Sequence, residues 1–182
     1  MNTTPRPKPC AQCGGIFTPV RPLQRVCSPL CASKLVKQAK KVDRESTRER
    51  KVAIKSRQQW LAECQAIVNK YVRLRDHDEG CISCDKPSTW QGQWHASHFR
   101  SRGAASSIRF NLWNIHKACS VCNNHLSGNL SAYEPRLREK IGSAKVDWLR
   151  TQNQITRYDI PYLERLKKIF TKRVKRMEKR VK

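Results

Sequence analysis

The chain has 182 residues, enough for one modest domain with extensions, and sets 38 Lys+Arg against 14 Asp+Glu for a net charge of +24. So large an excess repels itself and disfavours compaction, so it points to a polyanionic partner, with nucleic acid first. A membrane-surface role fits less well, because the basic segments lack a Trp/Phe face and no lipidation motif is present. The opening MNTTPRPKPC has no apolar h-region, so no secretory leader is expected. No run reaches the roughly 18 apolar residues of a membrane span, so a soluble, cytoplasmic protein with reduced cysteines is expected. The odd count of nine cysteines also argues against a closed disulfide framework.

Residues 5–32 are rich in Pro and Cys and too poor in apolar side chains to form a core without a staple. Residues 33–57 are highly charged, with a thin apolar stripe of Leu35, Ala39 and Val42. They read as an exposed helix or a partly disordered basic linker. A better helix is expected over 56–76, where Trp60, Cys64, Ile67, Val68, Tyr71 and Val72 recur at helical steps. Residues 80–113 read as short strands and loops, and CSVCNNHLSG as a turn entering a helix. Two further helices are expected, over 132–150 and 160–180, the second with Asp159 as cap and Pro161 in its first turn.

Two cysteine quartets stand out. The first is Cys10-x2-Cys13-x13-Cys27-x3-Cys31, and the second pairs Cys81-x2-Cys84 with Cys119-x2-Cys122. Two short chelating pairs are what a tetrahedral zinc requires, and the spacing favours ligation over unligated buried thiols. A structural zinc contributes about 10–16 kcal/mol of apparent folding free energy, ample for a segment without a core. Cys64, left over on an apolar helix face, reads as a core residue.

The loop between the halves of the second quartet contains QWHASHFRSRG and then RFNLWNIHKAC. With CSVCN after it, this stretch resembles the HNH, or ββα-metal, nucleases over about residues 81–130. A closer resemblance covers most of the chain. CISC, QW-x-A-x-H, RFN, NIHK-x-C-x-VCN-x-H-x-SGNL and the N-terminal CSP-x-C are similar to the lambdoid-phage NinG (Rap) recombination endonucleases.

That resemblance implies an α+β fold: a small zinc-stapled, treble-clef-type ββα-metal core flanked by long basic helices, with an N-terminal four-cysteine zinc knuckle. The corresponding domains are a knuckle over 1–32, a linker over 33–57, a nuclease domain over 58–150 and a basic C-terminal helix over 151–182. It further implies a structure-specific endonuclease acting on Holliday junctions and D-loops, with two structural Zn²⁺ and a catalytic Mg²⁺ or Mn²⁺. His98 would be the general base, suited to the task by an imidazole pKa of about 6.5. Asn123 would ligate the catalytic metal, and Asn114 would brace the loop and keep the His98 ring oriented. Arg100, Arg102, Lys117 and His125 would contact DNA, and His116 would be structural.

Family members usually read Asp-Ala-Gly-His where this chain has His95-Ala96-Ser97-His98. His95 therefore replaces the expected carboxylate ligand, and it reads as either a metal ligand or a solvent-facing strand residue. Imidazole suits Mn²⁺, Ni²⁺ or Zn²⁺ better than Mg²⁺. The site would then prefer a transition metal, recruit another ligand such as His125, or be weakened. Trp90, Trp94 and Trp113 read as packing residues.

The expected partners are branched DNA, a second copy of the chain through the helices near 60–75 or 160–180, and phage or host recombination proteins. The expected location is the cytoplasm of a bacterial host, with the nucleoid as the site of DNA-bound protein. Two other functions compete: a catalytically weakened zinc-stabilised nucleic-acid-binding protein, and an RNA- or ribosome-associated zinc protein.

Overall fold

The computed structural model describes residues 6–53 and 55–180. The chain divides into two compact units, Met1–Lys55 and Ser56–Lys182. Among the described residues, no helix is long and apolar enough to cross a membrane.

In the first unit, β1 (Lys8–Pro9) pairs antiparallel with β2 (Ile16–Phe17). The turn between them holds Cys10 and Cys13, and Gly14 takes the positive φ of 74° that closes it. The Gly14 N–H donates to the Cys10 carbonyl at 3.0 Å. Helix α1 (Pro29–Ala53) follows as one continuous element. It begins at Pro29, four residues before the expected Ser33, so Cys31 lies in its first turn. The Ser28 hydroxyl accepts from the Cys31 N–H at 3.3 Å there, and Pro29 has no N–H to leave unpaired. No residue of α1 is buried, as its thin apolar stripe implies.

The second unit opens with α2 (Arg57–Arg75), started by a capping box between Ser56 and Gln59. Its apolar face buries Trp60, Leu61, Cys64, Val68 and Val72. Strand β3 (Trp94–His98) pairs antiparallel with β4 (Ile115–Cys119), in register His95↔Ala118 and His98↔Ile115. A single π-helical turn, Val121–His125, leaves the end of β4. The helix expected over 132–150 is two helices, α3 (Leu130–Ile141) and α4 (Ser143–Thr151). Gly142 separates them at φ 89°, a conformation that a helix cannot continue through and that glycine adopts without strain. Helix α5 (Ile160–Glu178) ends the described fold, with the Asp159 side chain accepting from the Tyr162 N–H.

Both faces of the hairpin are covered. Ala96 and Ile115 join a core built by α2 and α5, with Val68, Val72, Leu163 and Phe170. Ala118 and Cys119 join a second core with Tyr133 and Leu137 of α3 and Val146 and Leu149 of α4. Cys64 is fully buried, and its thiol donates to the Leu163 carbonyl of α5 at 3.0 Å. The C-terminal helix thus packs as part of the second unit's core.

A buried carboxylate fastens these layers together. Asp76 is 1 % exposed and accepts from Arg75 Nε at 2.7 Å and Nη2 at 2.8 Å. It also accepts from the Lys117 backbone N–H at 3.1 Å, and the Lys140 ammonium of α3 lies 3.3 Å away. Burial works to raise its pKa, but the Arg75 hydrogen bonds and charge, with Lys140, hold it below the usual carboxylate range. Arg75 in turn donates to the Leu112 and Ile115 carbonyls at 3.1 and 2.8 Å, locking the end of α2 to the start of β4. Asp76→Ala leaves a partly buried guanidinium without its counter-charge. We expect a loss of about 3–5 kcal/mol in denaturant unfolding of the second unit.

Candidate functional site

Each cysteine quartet gathers its four sulfurs within 4.8 Å of one another. A tetrahedral zinc with Zn–S of about 2.3 Å sets neighbouring sulfurs about 3.8 Å apart. The observed spacings are 3.7 Å for Cys13–Cys27, 3.6 Å for Cys27–Cys31 and 3.8 Å for Cys84–Cys119. Backbone N–H groups point at the sulfurs, from Cys27 to Cys10 at 3.4 Å and from Cys119 to Cys81 at 3.2 Å. Such donors stabilise thiolates. Both quartets, Cys10/Cys13/Cys27/Cys31 and Cys81/Cys84/Cys119/Cys122, could hold a zinc ion.

The second quartet joins three pieces of chain: the Cys81–Cys84 loop, the last residue of β4 and the π turn. Asn123 follows Cys122 on that turn and is thereby brought to β3. Its amide nitrogen Nδ2 lies 3.4 Å from His95 Nδ1 and also donates to Asn124 Oδ1 at 2.8 Å. With the carboxamide turned over, its oxygen and His95 Nδ1 could ligate one cation. His95 Nε2 is shut away from solvent, with no hydrogen-bond partner among the described residues. Beyond the turn, Ser127, Gly128 and Asn129 all take positive φ, at 49°, 93° and 48°. Two of these are not glycine, so the loop stores strain of order 1–3 kcal/mol per residue. Asn129 secures it by donating to the Ser83 carbonyl at 2.7 Å.

His95 and His98 leave β3 on opposite faces, because strand side chains alternate. Both nevertheless reach one cleft of about 430 Å³ along the strand's free edge, lined also by Asn123, Ser101 and Arg102. Helix α2 contributes Asn69 and Arg73 to the wall, and among the described residues no acidic one lines it.

The His98 ring is fixed by a backbone carbonyl. Its Nε2 lies 3.0 Å from the Arg109 oxygen. A carbonyl only accepts, so Nε2 carries the proton and Nδ1 keeps its lone pair. Burial pushes the His98 pKa down to about 4; the carbonyl bond opposes this, and the nearby Arg102 and Arg109 charges add to it. The ring is therefore neutral at neutral pH.

Asn114 does not perform the expected orientation of His98. It is fully buried, accepts from the Arg100 N–H at 2.7 Å and donates to the Arg100 carbonyl at 3.0 Å. It bonds both backbone groups of Arg100 across the 99–114 loop, while the Arg109 carbonyl bonds the His98 ring. Lys117 is also displaced from its expected DNA-contact role. It is 3 % exposed, donates to the His77 carbonyl at 2.9 Å and lies over the Trp94 ring. Every residue of β4 is buried, because both faces of the strand are covered, which the lysine's charge alone could not reveal. The Arg100 guanidinium donates to the Gln152 carbonyl at 3.1 Å and lines no part of the cleft. Arg102 is exposed at the cleft, and His125 is exposed outside its lining.

His116 is buried, its Nε2 3.0 Å from the Trp113 carbonyl, in keeping with a structural place. Trp90 and Trp94 pack edge to face, whereas Trp113 is 42 % exposed and meets Trp148. Sequence reasoning missed Asn69 and Arg73. They sit one helical turn apart on α2, and only the packing of α2 against β3 brings them to the cleft.

The fold and site define a mixed helix and sheet protein with two four-cysteine clusters that could bind zinc, and with a histidine-bearing cleft beside one of them. The chain belongs to the NinG family: the family described as "Bacteriophage Lambda NinG protein" matches residues 2–180. It is 33% identical to "Protein ninG" of Escherichia phage lambda over 90% of this chain and 89% of the relative. The same identity and shares hold for "Protein ninG" of Salmonella phage P22. "Protein ninG" of Escherichia phage 933W is 38% identical over 69% of this chain and 62% of its own length. No solved structure matches.

Elemental analysis of purified protein is expected to find about two zinc ions per chain. Cys119→Ser should remove about one of them and unfold the second unit, because the lost thiolate also terminates β4. Retention of both ions in that variant would contradict the second assignment.

Proposed function

We propose that the protein is a metal-dependent, structure-specific endonuclease that hydrolyses phosphodiester bonds in branched DNA, Holliday junctions and D-loops among them. One observation carries the reading: His98, held through Nε2 by a backbone carbonyl and so left with Nδ1 as its proton acceptor, lines a cleft with no acidic residue among the described residues. A water in the cleft would give its proton to Nδ1 and attack phosphorus, and the P–O3′ bond would break. The absence of carboxylates suits a polyanionic strand, and the net charge of +24 supplies long-range attraction. Arg102 at the cleft, and His125 outside its lining, would contact phosphates, whereas Lys117 and Arg100 are engaged internally.

His95 and Asn123 fit a divalent cation as neutral nitrogen and oxygen donors, suited to Mn²⁺ or a later transition ion more than to Mg²⁺. Bound there, such an ion would neutralise charge on the phosphorane and on the leaving oxygen. The second quartet would hold its zinc structurally, fixing Asn123 against β3. Paired cuts across a symmetric junction suit a homodimer acting on DNA in the host cytoplasm, in company with other recombination proteins.

The missing carboxylate favours one other reading, a zinc-stabilised DNA-binding protein whose catalysis has weakened. Incubation with four-way junction, duplex and single-stranded DNA, with Mg²⁺, Mn²⁺ or neither, separates the two. We expect junction cleavage greatest with Mn²⁺, and a loss of about 10²–10⁴-fold in His98→Ala with binding retained. Binding without cleavage under any metal would remove the enzyme reading.

The pH dependence has a defined sign. His98 acts as base only when neutral, and its pKa in the free protein is lowered to about 4. Its protonation should therefore leave kcat/KM unaffected from neutral pH down to about pH 5, with loss only below. An acid limb with its midpoint at the ordinary histidine value of about 6.5 would contradict the buried setting.

A further inference from the structure

A chain of hydrogen bonds on α2 has a forced direction. Arg109 Nε donates to Gln65 Oε1 at 2.9 Å. A guanidinium has no acceptor, so the amide oxygen of Gln65 must face it. The Gln65 amino group is thereby turned to Asn69 and donates to Asn69 Oδ1 at 2.8 Å. Gln65 is 5 % exposed, which shields the relay from competing water. Asn69 is left with its NH₂ group as the free end, a donor at the cleft wall.

Arg73 stands one turn further along the same face of α2 and also lines the cleft. It is half-buried and, among the described residues, has no hydrogen bond or ion pair. Its neighbour Arg75 is fully committed to Asp76 and two carbonyls. Burial lowers the Arg73 pKa with no carboxylate to oppose it. A desolvated guanidinium without a counter-ion is costly in a folded protein unless an anion completes it. Arg102 faces the same space, and no acidic residue lines it.

We propose that Asn69 and Arg73 form a phosphate cradle that holds a backbone phosphate of the bound strand beside His98, with Arg102 closing it from the loop. Its specificity for an anion is built in by the Arg109–Gln65–Asn69 relay, which allows Asn69 only to donate. Arg109 thus serves twice, because its carbonyl also fixes the His98 ring. The identity of the anion as a DNA phosphate rests on the function proposed above. The cradle itself rests on the relay and on the unpaired Arg73.

The test is four-way-junction affinity of the full chain across a range of salt concentrations. Each phosphate contact contributes about 0.9 to the slope of log K against log salt. Arg73→Gln should make the slope shallower by about that amount and lower single-turnover cleavage about tenfold or more. Arg73→Lys should keep the slope. An unchanged slope in Arg73→Gln, with the wild-type melting temperature, overturns the cradle.

If Arg73→Gln does not fold, Asn69→Asp decides. Its carboxylate still accepts from Gln65 but turns an acceptor and a charge to the cleft. Affinity should fall about tenfold or more, and wild-type affinity would overturn the proposal. Should wild-type protein bind junctions without cutting them, the nuclease reading fails while the slope still decides the cradle.

Discussion

The second unit's strand pair is gathered around four sulfurs that could hold a zinc ion. A two-stranded ribbon of five-residue strands is marginal in water, and β3 and β4 are no longer than that. The Cys81/Cys84/Cys119/Cys122 cluster fixes the end of β4, the preceding loop and the following turn at one point. The turn cannot continue as an ordinary helix there. It takes π geometry and then three left-handed residues before α3 begins. That strained passage sets Asn123 against His95 and leaves Ser127 and Gly128 in the cleft wall.

The ribbon is held from the sides as well. Asp76 and Arg75 join the end of α2 to β4 and to α3, so the α2 wall and the strand edge keep one spacing. The free edge of β3 then becomes useful. Side chains from both faces of the strand can curl to it, which lets His95 and His98 share a cleft despite pointing oppositely at their Cα atoms. His95 lies beside Asn123, and His98 meets the Arg109 carbonyl on the other side. The two histidines are thereby kept apart but adjacent.

Much of this was legible in the chain. The cysteine spacings imply both quartets, because chelating pairs are a local property of sequence. The helix over 56–76 was legible from its apolar steps, and the opening of α5 from Asp159 and Pro161. The single helix expected over 132–150 was not correct, since Gly142 lies within a strongly helical composition and its positive φ emerges only when α4 folds back on α3. Lys117 illustrates the limit of charge counting: a lysine on a strand covered on both faces is buried whichever way it points and finds a carbonyl and an aromatic ring. Asn69 and Arg73 had no local signal, because their meeting with β3 is purely tertiary. The Arg109 carbonyl was equally hidden, being a backbone atom that any residue type could supply. The signal available for it was structural: a strand histidine must have one nitrogen anchored before the other can act as a base.

The chemistry proposed for the cleft turns on the protonation state of His98. The most direct measurement is ¹⁵N NMR of histidine-labelled protein, assigned through a His98→Gln control, at neutral pH. The expected result is a neutral ring protonated on Nε2, with Nδ1 bare. A ring protonated on Nδ1, or an imidazolium at neutral pH, would contradict the assignment of His98 as the base.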